Sequence, residues 1–154
     1  LTDLLAALSS PGQPQTLYRA LEKHLSETIG FGLFTLLYRD GQEVARVYST
    51  NEEAYPVFGR KQMGPTPWGE KVIDRQEAFL GPDREAIIWA FYDHDLIFSL
   101  GLGAVINIPV VYDGETIGTM NLLDKSGAYT QEHLRQAQAV APLLIPAYLE
   151  ARRR

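Results

Sequence analysis

The clearest pattern in the chain is a two-residue alternation over 103–112 (GAVINIPVVY) and 115–124 (ETIGTMNLLD), joined by Asp113-Gly114. Alternation marks strands, and Asp-Gly between two strands marks a tight hairpin. The turn pairs Tyr112 with Glu115. Strict alternation then puts Ala104, Ile106, Ile108 and Val110 with Ile117, Thr119, Asn121 and Leu123 on one face. The other face takes Val105, Asn107, Pro109 and Val111 with Thr116, Gly118, Met120 and Leu122. Both faces are largely apolar, so both are expected to be covered. Pro109 has no N–H for the ladder, and a bulge near it would slip this register. A second hairpin is predicted from 33–39 (LFTLLYR) and 43–49 (EVARVYS) around Asp40-Gly41, and a short strand at 77–80.

Helical spacing appears elsewhere. Residues 3–9 end at Ser10-Pro11-Gly12. Residues 14–29 carry Leu17, Leu21, Leu25 and Ile29 at intervals of four. Residues 66–75 have Thr66 as a cap and Pro67 at the first helical position. Residues 83–92 form a further short helix, and 93–100 lead into the long hairpin. The last helix spans 131–152, with Leu134, Ala137, Ala141, Leu144, Ile145 and Tyr148 in one stripe. Pro142 and Pro146 each delete a helical hydrogen bond, so a bend is expected. Residues 51–65 read as irregular.

These elements predict an α+β fold. A central antiparallel sheet of five or six strands carries the N- and C-terminal helices on one face, with loops and short helices covering the other. The chain reads as one domain over 1–154, with a helical extension at 1–12 and a basic tail at 150–154. Composition then narrows the function. There is no cysteine among 154 residues, which removes disulfides, thiolate zinc sites and thiol chemistry. The net charge of −5 lacks the basic footprint of a nucleic-acid binder. No apolar run is long enough for a membrane span, and a cytoplasmic location is expected.

The C-terminal stretch resembles the C-terminal half of a GAF domain. Its markers are Ile108-Pro109-Val110, the Asp113-Gly114 turn, Ile117-Gly118-Thr119-Met120-Asn121-Leu122, and Tyr129-Thr130-Gln131-Glu132. The resemblance extends over nearly the whole chain and implies a PAS-related sensory sandwich. Family members that hold bilins covalently, and those that reduce free methionine sulfoxide, use cysteines absent here. The cyclic-nucleotide signature Asn-Lys-x-x-Phe-x-x-x-Asp/Glu is also absent. The resemblance implies a ligand pocket roofed by the segment between the two hairpins, and a homodimer formed by the first and last helices. Leu4, Leu5 and Leu8 supply an apolar edge for such a dimer.

The segment between the hairpins carries Phe58, Trp68, Trp89, Phe91, Tyr92 and Phe98. These rings either fill the core or wall a small-molecule pocket. Asn107, if buried, needs partners that a ligand or water can supply. Gly118 leaves room above the sheet. The candidate ligand-binding set is therefore Tyr48, Phe58, Trp68, Trp89, Tyr92, His94, Phe98, Asn107 and Met120. Arg60 and Lys61 read either as a solvated loop or as partners of an anionic group. Asp93-His94-Asp95 is the one cluster with a catalytic look, although consecutive residues rarely converge. No histidine pair has metal-ligand spacing, and no nucleophile or phosphate-loop motif is present. No catalytic residue, metal or cofactor is assigned. The expected function is a sensory or regulatory module that binds an unidentified small organic molecule and acts through dimerisation or a protein partner. The alternatives are a structural dimerisation module with a filled core, and an enzyme using His94.

Overall fold

A computed structural model describes residues 1–153; Arg154, the end of the expected basic tail, lies outside the described residues. Six strands form one antiparallel sheet: β1 (Leu33–Asp40), β2 (Glu43–Ser49), β3 (Arg60–Gln62), β4 (Phe79–Gly81), β5 (Ala104–Tyr112) and β6 (Glu115–Asp124). Their spatial order is β3-β2-β1-β6-β5-β4. The two long hairpins supply the four central strands, and the three-residue strands β3 and β4 form the edges. The segment read as irregular therefore contains an edge strand.

Helices α1 (Thr2–Ser9), α2 (Gln15–Thr28), α6 (Gln131–Val140) and α7 (Ile145–Arg152) cover one face. The last two are joined by a single 3-10 turn at Ala141–Leu144, which realises the expected bend at Pro142 and Pro146. Thr130 caps α6 by accepting from the His133 N–H, while His133 Nδ1 accepts from the Thr130 N–H. His133 is thus a capping residue. The core on this side contains Leu17, Leu21, Phe34, Leu36, Ile106 and Tyr148, all buried.

Short helices α3 (Pro67–Gly69), α4 (Arg84–Ala90) and α5 (His94–Ser99) cover the opposite face. A π turn at Glu70–Asp74 continues α3, so the helix expected over 66–75 is present but widened. Thr66 caps it by accepting from the Gly69 N–H at 2.9 Å. A smaller core of Trp68, Val72, Ile73, Ile87, Val105 and Leu123 lies beneath this cover.

Two bulges decide which side chains meet on each face. Tyr112 pairs with Glu115, as the Asp113-Gly114 turn requires, and Asp113 and Gly114 both have positive φ. Val111 then pairs with Thr116, but Val110 pairs with Gly118, leaving Ile117 as an extra residue. Beyond that point strict alternation is off by one. Gly118, Met120 and Leu122 join Ile106 and Ile108 under the helices, while Thr119, Asn121 and Leu123 join Asn107 on the other face. The slip anticipated near Pro109 lies one residue on, opposite Val110 and Val111. On β2, Leu36 pairs with Tyr48 and Leu37 with Arg46, so Val47 is the extra residue. Bulged residues re-aim the side chains that follow them. Tyr48 turns to the helices, and Arg46 turns to the cavity.

Candidate functional site

The cavity lies between the bulge-defined sheet face and the cover, with a volume of about 50 Å³. Its floor is a polar row set into apolar surroundings. Asn107, Asn121 and Thr35 sit directly opposite one another on β5, β6 and β1. Trp68 Nε1–H donates to Asn107 Oδ1 at 3.0 Å, and Asn107 Nδ2–H donates to Asn121 Oδ1 at 2.8 Å. Asn121 Nδ2 donates in turn to Thr35 Oγ1 and to the Thr35 carbonyl, both at 3.3 Å. The row runs across three strands and anchors the cover through one indole. A buried polar network is stable only when its members are satisfied, and these members largely satisfy one another.

The side wall carries charge. Lys61 pairs with Val44 in the β3–β2 ladder, and both line the cavity. The Lys61 ammonium stands 5.6 Å from the ring centroids of both Trp68 and Phe91. Burial pushes its pKa below the ordinary lysine value; Asp93 opposes that shift and Arg46 adds to it. The Arg46 guanidinium lies over the Tyr55 ring at 5.0 Å, and its Nη1 donates to Pro56 O at 3.1 Å. Arg46 Nε is buried with no hydrogen-bond partner. Tyr55 Oη–H donates to Asp93 Oδ2 at 2.9 Å, and burial and Asp93 together raise the phenol's pKa. Two cations and one carboxylate thus line one small space.

Of the nine candidate residues, the structure brings Trp68 and Asn107 to this cavity. Met120 is fully buried under the helices, on the wrong face by one residue because of the Ile117 bulge. Gly118 moves with it: a Cβ there would overlap the Tyr148 ring and Leu37 O, so a helix-borne ring and not a ligand occupies that space. Tyr48 packs against Tyr18 and Phe34 and its hydroxyl bonds Glu22, again on the helix face. Phe58 and Tyr92 are 83% and 88% exposed. Trp89 packs its ring against Phe79 on the outside of the cover. Phe98 stacks under the Arg84 guanidinium at 4.0 Å and against His94, away from the cavity. His94 has Asp95 at 3.3 Å and does not line the cavity, so Asp93-His94-Asp95 diverges as consecutive residues do.

The sequence reading missed Arg46, Tyr55, Asp93, Thr119 and Asn121 as cavity residues. Of the two cations weighed as partners of an anionic group, Lys61 lines the cavity, whereas Arg60 pairs with Asp40 and Glu43 away from it. The signal that could have found Asn121 was a single bulge, which places it opposite Asn107. Among the described residues no group of His, Asp and Glu is disposed to hold a metal, and no helix is long and apolar enough to cross a membrane.

A sheet of this order, helix-packed on one side and roofed over a polar-floored cavity on the other, defines an α+β sandwich. Residues 13–144 match the family model described as GAF domain, and the chain belongs to that family. The fold is similar to the GAF domain of a phosphoenolpyruvate-protein phosphotransferase from Coxiella burnetii. That match has TM-score 0.77 and 17% identity, covering 98% of this chain and 91% of that one. It is also similar to the GAF domain of a two-component sensor histidine kinase from Bacillus halodurans, with TM-score 0.73 and 10% identity, covering 90% and 95%. A type II free methionine-R-sulfoxide reductase from Thermoplasma acidophilum matches with TM-score 0.68 and 16% identity, covering 85% and 88%. At these identities the likeness is one of fold. No curated protein matches the chain by sequence.

Proposed function

We propose that this GAF domain is a sensory or regulatory module that binds a small organic molecule in the cavity floored by Asn107, Asn121 and Thr35. The observation that carries this reading is a buried, unpartnered charged donor, Arg46 Nε, in a wall that also holds Lys61 and Asp93. Buried polar groups without partners are rare, and a filled structural core has no use for one beside a second cation. Trp68 links the floor to the cover, so occupancy has a direct route to α3 and the segments around it. Output then passes to a partner or to a second copy. Of the expected edge Leu4, Leu5 and Leu8, the first is buried in the core and the last packs against it, so Leu5 on α1 and Leu1 before it, 51% and 67% exposed, are left to meet the second copy.

Native mass spectrometry of the purified protein, with thermal shift against a small-molecule panel, tests the reading. A bound ligand at about one hundred times its Kd stabilises by about 2.7 kcal/mol, or on the order of 5–10 °C in Tm. Asn107→Leu is expected to remove the shift while the protein stays folded. No co-purified molecule and no shift from any compound would leave the structural-module reading in its place.

A further inference from the structure

We propose that the cavity takes a small organic monoanion, an ionised short-chain carboxylic acid, with its carboxylate between Lys61 and Arg46. This rests on the cavity being a ligand site and names the chemical class it selects. The polar row of the floor is largely satisfied by its own hydrogen bonds, so it orients a ligand without demanding a charge. The wall does demand one. Lys61 has three N–H donors and, among the described residues, no hydrogen bond or ion pair; its neighbours are the faces of Trp68 and Phe91. Ring faces compensate an ammonium only in part. Arg46 Nε is buried and unpartnered, while its Nη1 is held by Pro56 O. Asp93 is the single carboxylate in the lining, and one of its oxygens is taken by Tyr55. Two cations against one anion leave one positive charge unbalanced.

A carboxylate answers this arrangement with two acceptor oxygens and one negative charge. Its hydrocarbon end meets the apolar part of the lining, Ile97 and Leu123 among it. A volume of about 50 Å³ suits an acid of a few heavy atoms. A dianion would overshoot the charge, a neutral amide would leave it unmet, and an amine would add to it. Binding also has a pH signature. Burial lowers the pKa of the Lys61 ammonium, which faces Asp93, itself bonded to Tyr55, and Arg46. An anion beside it restores the charged form. Binding should draw a proton at pH values above the depressed pKa, and affinity should fall as pH rises there.

Two tryptophans make the test direct, since Trp68 lines the cavity and Trp89 lies outside it. The indole N–H signals of ¹⁵N-labelled protein are followed during titration with sodium propionate, propionamide and propylammonium chloride at matched ionic strength. Propionate should shift the Trp68 signal saturably and leave Trp89 unmoved. Propionamide should bind at least about tenfold more weakly, about 1.4 kcal/mol. Lys61→Met should lose a similar factor with near-UV circular dichroism unchanged, and Lys61→Arg should keep most of the affinity. Equal or tighter binding of the amide or the ammonium overturns the anion class and leaves the ligand-site reading standing. Absence of saturation by acetate, propionate and pyruvate to about 10 mM, or an unaltered affinity in Lys61→Met, also overturns it. The ligand-site reading itself falls only to the co-purification and panel result.

Discussion

The two faces of the sheet come from the same strands, alternating residue by residue, yet they differ in kind. The helix face is continuous hydrocarbon: Phe34, Leu36, Ile106, Ile108, Met120 and Leu122 are all buried in one cluster. Its most prominent polar atom, the Tyr148 hydroxyl, donates to Thr119 O at 2.7 Å and is satisfied. The cavity face interleaves Thr35, Arg46, Asn107, Thr119 and Asn121 with apolar residues, and its cover rests on a short helix, a π turn and loops. Long helices present stripes that bury fully against a flat apolar surface. Short, irregular segments leave a gap, here over a polar floor. The larger apolar core lies on one face and the charged and amide side chains on the other.

The sharpest break in that contrast comes from the helix face. Leu36→Ala or Leu122→Ala should each cost about 2–5 kcal/mol, measured by urea denaturation, with no specific effect on cavity ligands. Gly118→Val belongs to the same class, because its Cβ would meet the Tyr148 ring and Leu37 O; about 3 kcal/mol is expected from the overpacking.

Changes on the cavity face should cost less and couple more. Asn107→Leu leaves the Trp68 N–H without its acceptor and Asn121 Oδ1 without its donor, at about 1–3 kcal/mol. Asn121→Leu should cost a similar amount. The double variant should cost clearly less than the sum, because part of the penalty is one partner stranded by the other's loss. Additive costs in the cycle would show that the row is not a coupled network.

Lys61→Met should be neutral or stabilising by up to about 1 kcal/mol near pH 7, since it removes a half-buried charge that has no hydrogen-bond partner among the described residues. The sign with pH follows from the lowered pKa of Lys61. Between that value and the ordinary lysine value the unfolded chain holds more protons, so stability rises with pH across the window. Denaturant midpoints against pH should show that rise in the parent and lose it in Lys61→Met. Smallest of all, Tyr92→Ser, at a residue 88% exposed, should change stability by less than about 0.5 kcal/mol. A larger loss would mean the cover packs more tightly than its exposure indicates.

The architecture was legible in the sequence because it rests on local signals. Alternation with Asp113-Gly114 fixed a hairpin whose turn register the structure reproduces. Spacings of four fixed α2, and Pro142 and Pro146 marked where the last helix breaks into α6, a 3-10 turn and α7. Even so, the turn of the first hairpin sits one residue on from Asp40-Gly41, at Gly41 and Gln42, because β1 extends through Asp40.

The cavity was only partly legible. Asn107 stood out as a polar residue on a largely apolar strand, and Trp68 as one of the rings between the two hairpins. Met120 and Tyr48 went to the wrong face because strict alternation was followed past the extra residues at Ile117 and Val47; Pro109 warned of a slip near the first without fixing its place, and nothing local marks the second. The sequence by itself determined which segments become strands and helices, since those choices depend on side-chain pattern within a few residues. Only the tertiary structure decided which way alternate residues point beyond each bulge. It also decided that Arg46, Lys61 and Asp93, from β2, β3 and the approach to α5, share one space. A one-residue bulge is set by how neighbouring strands and the ring of Tyr148 pack together, and that packing exists only once the chain has folded.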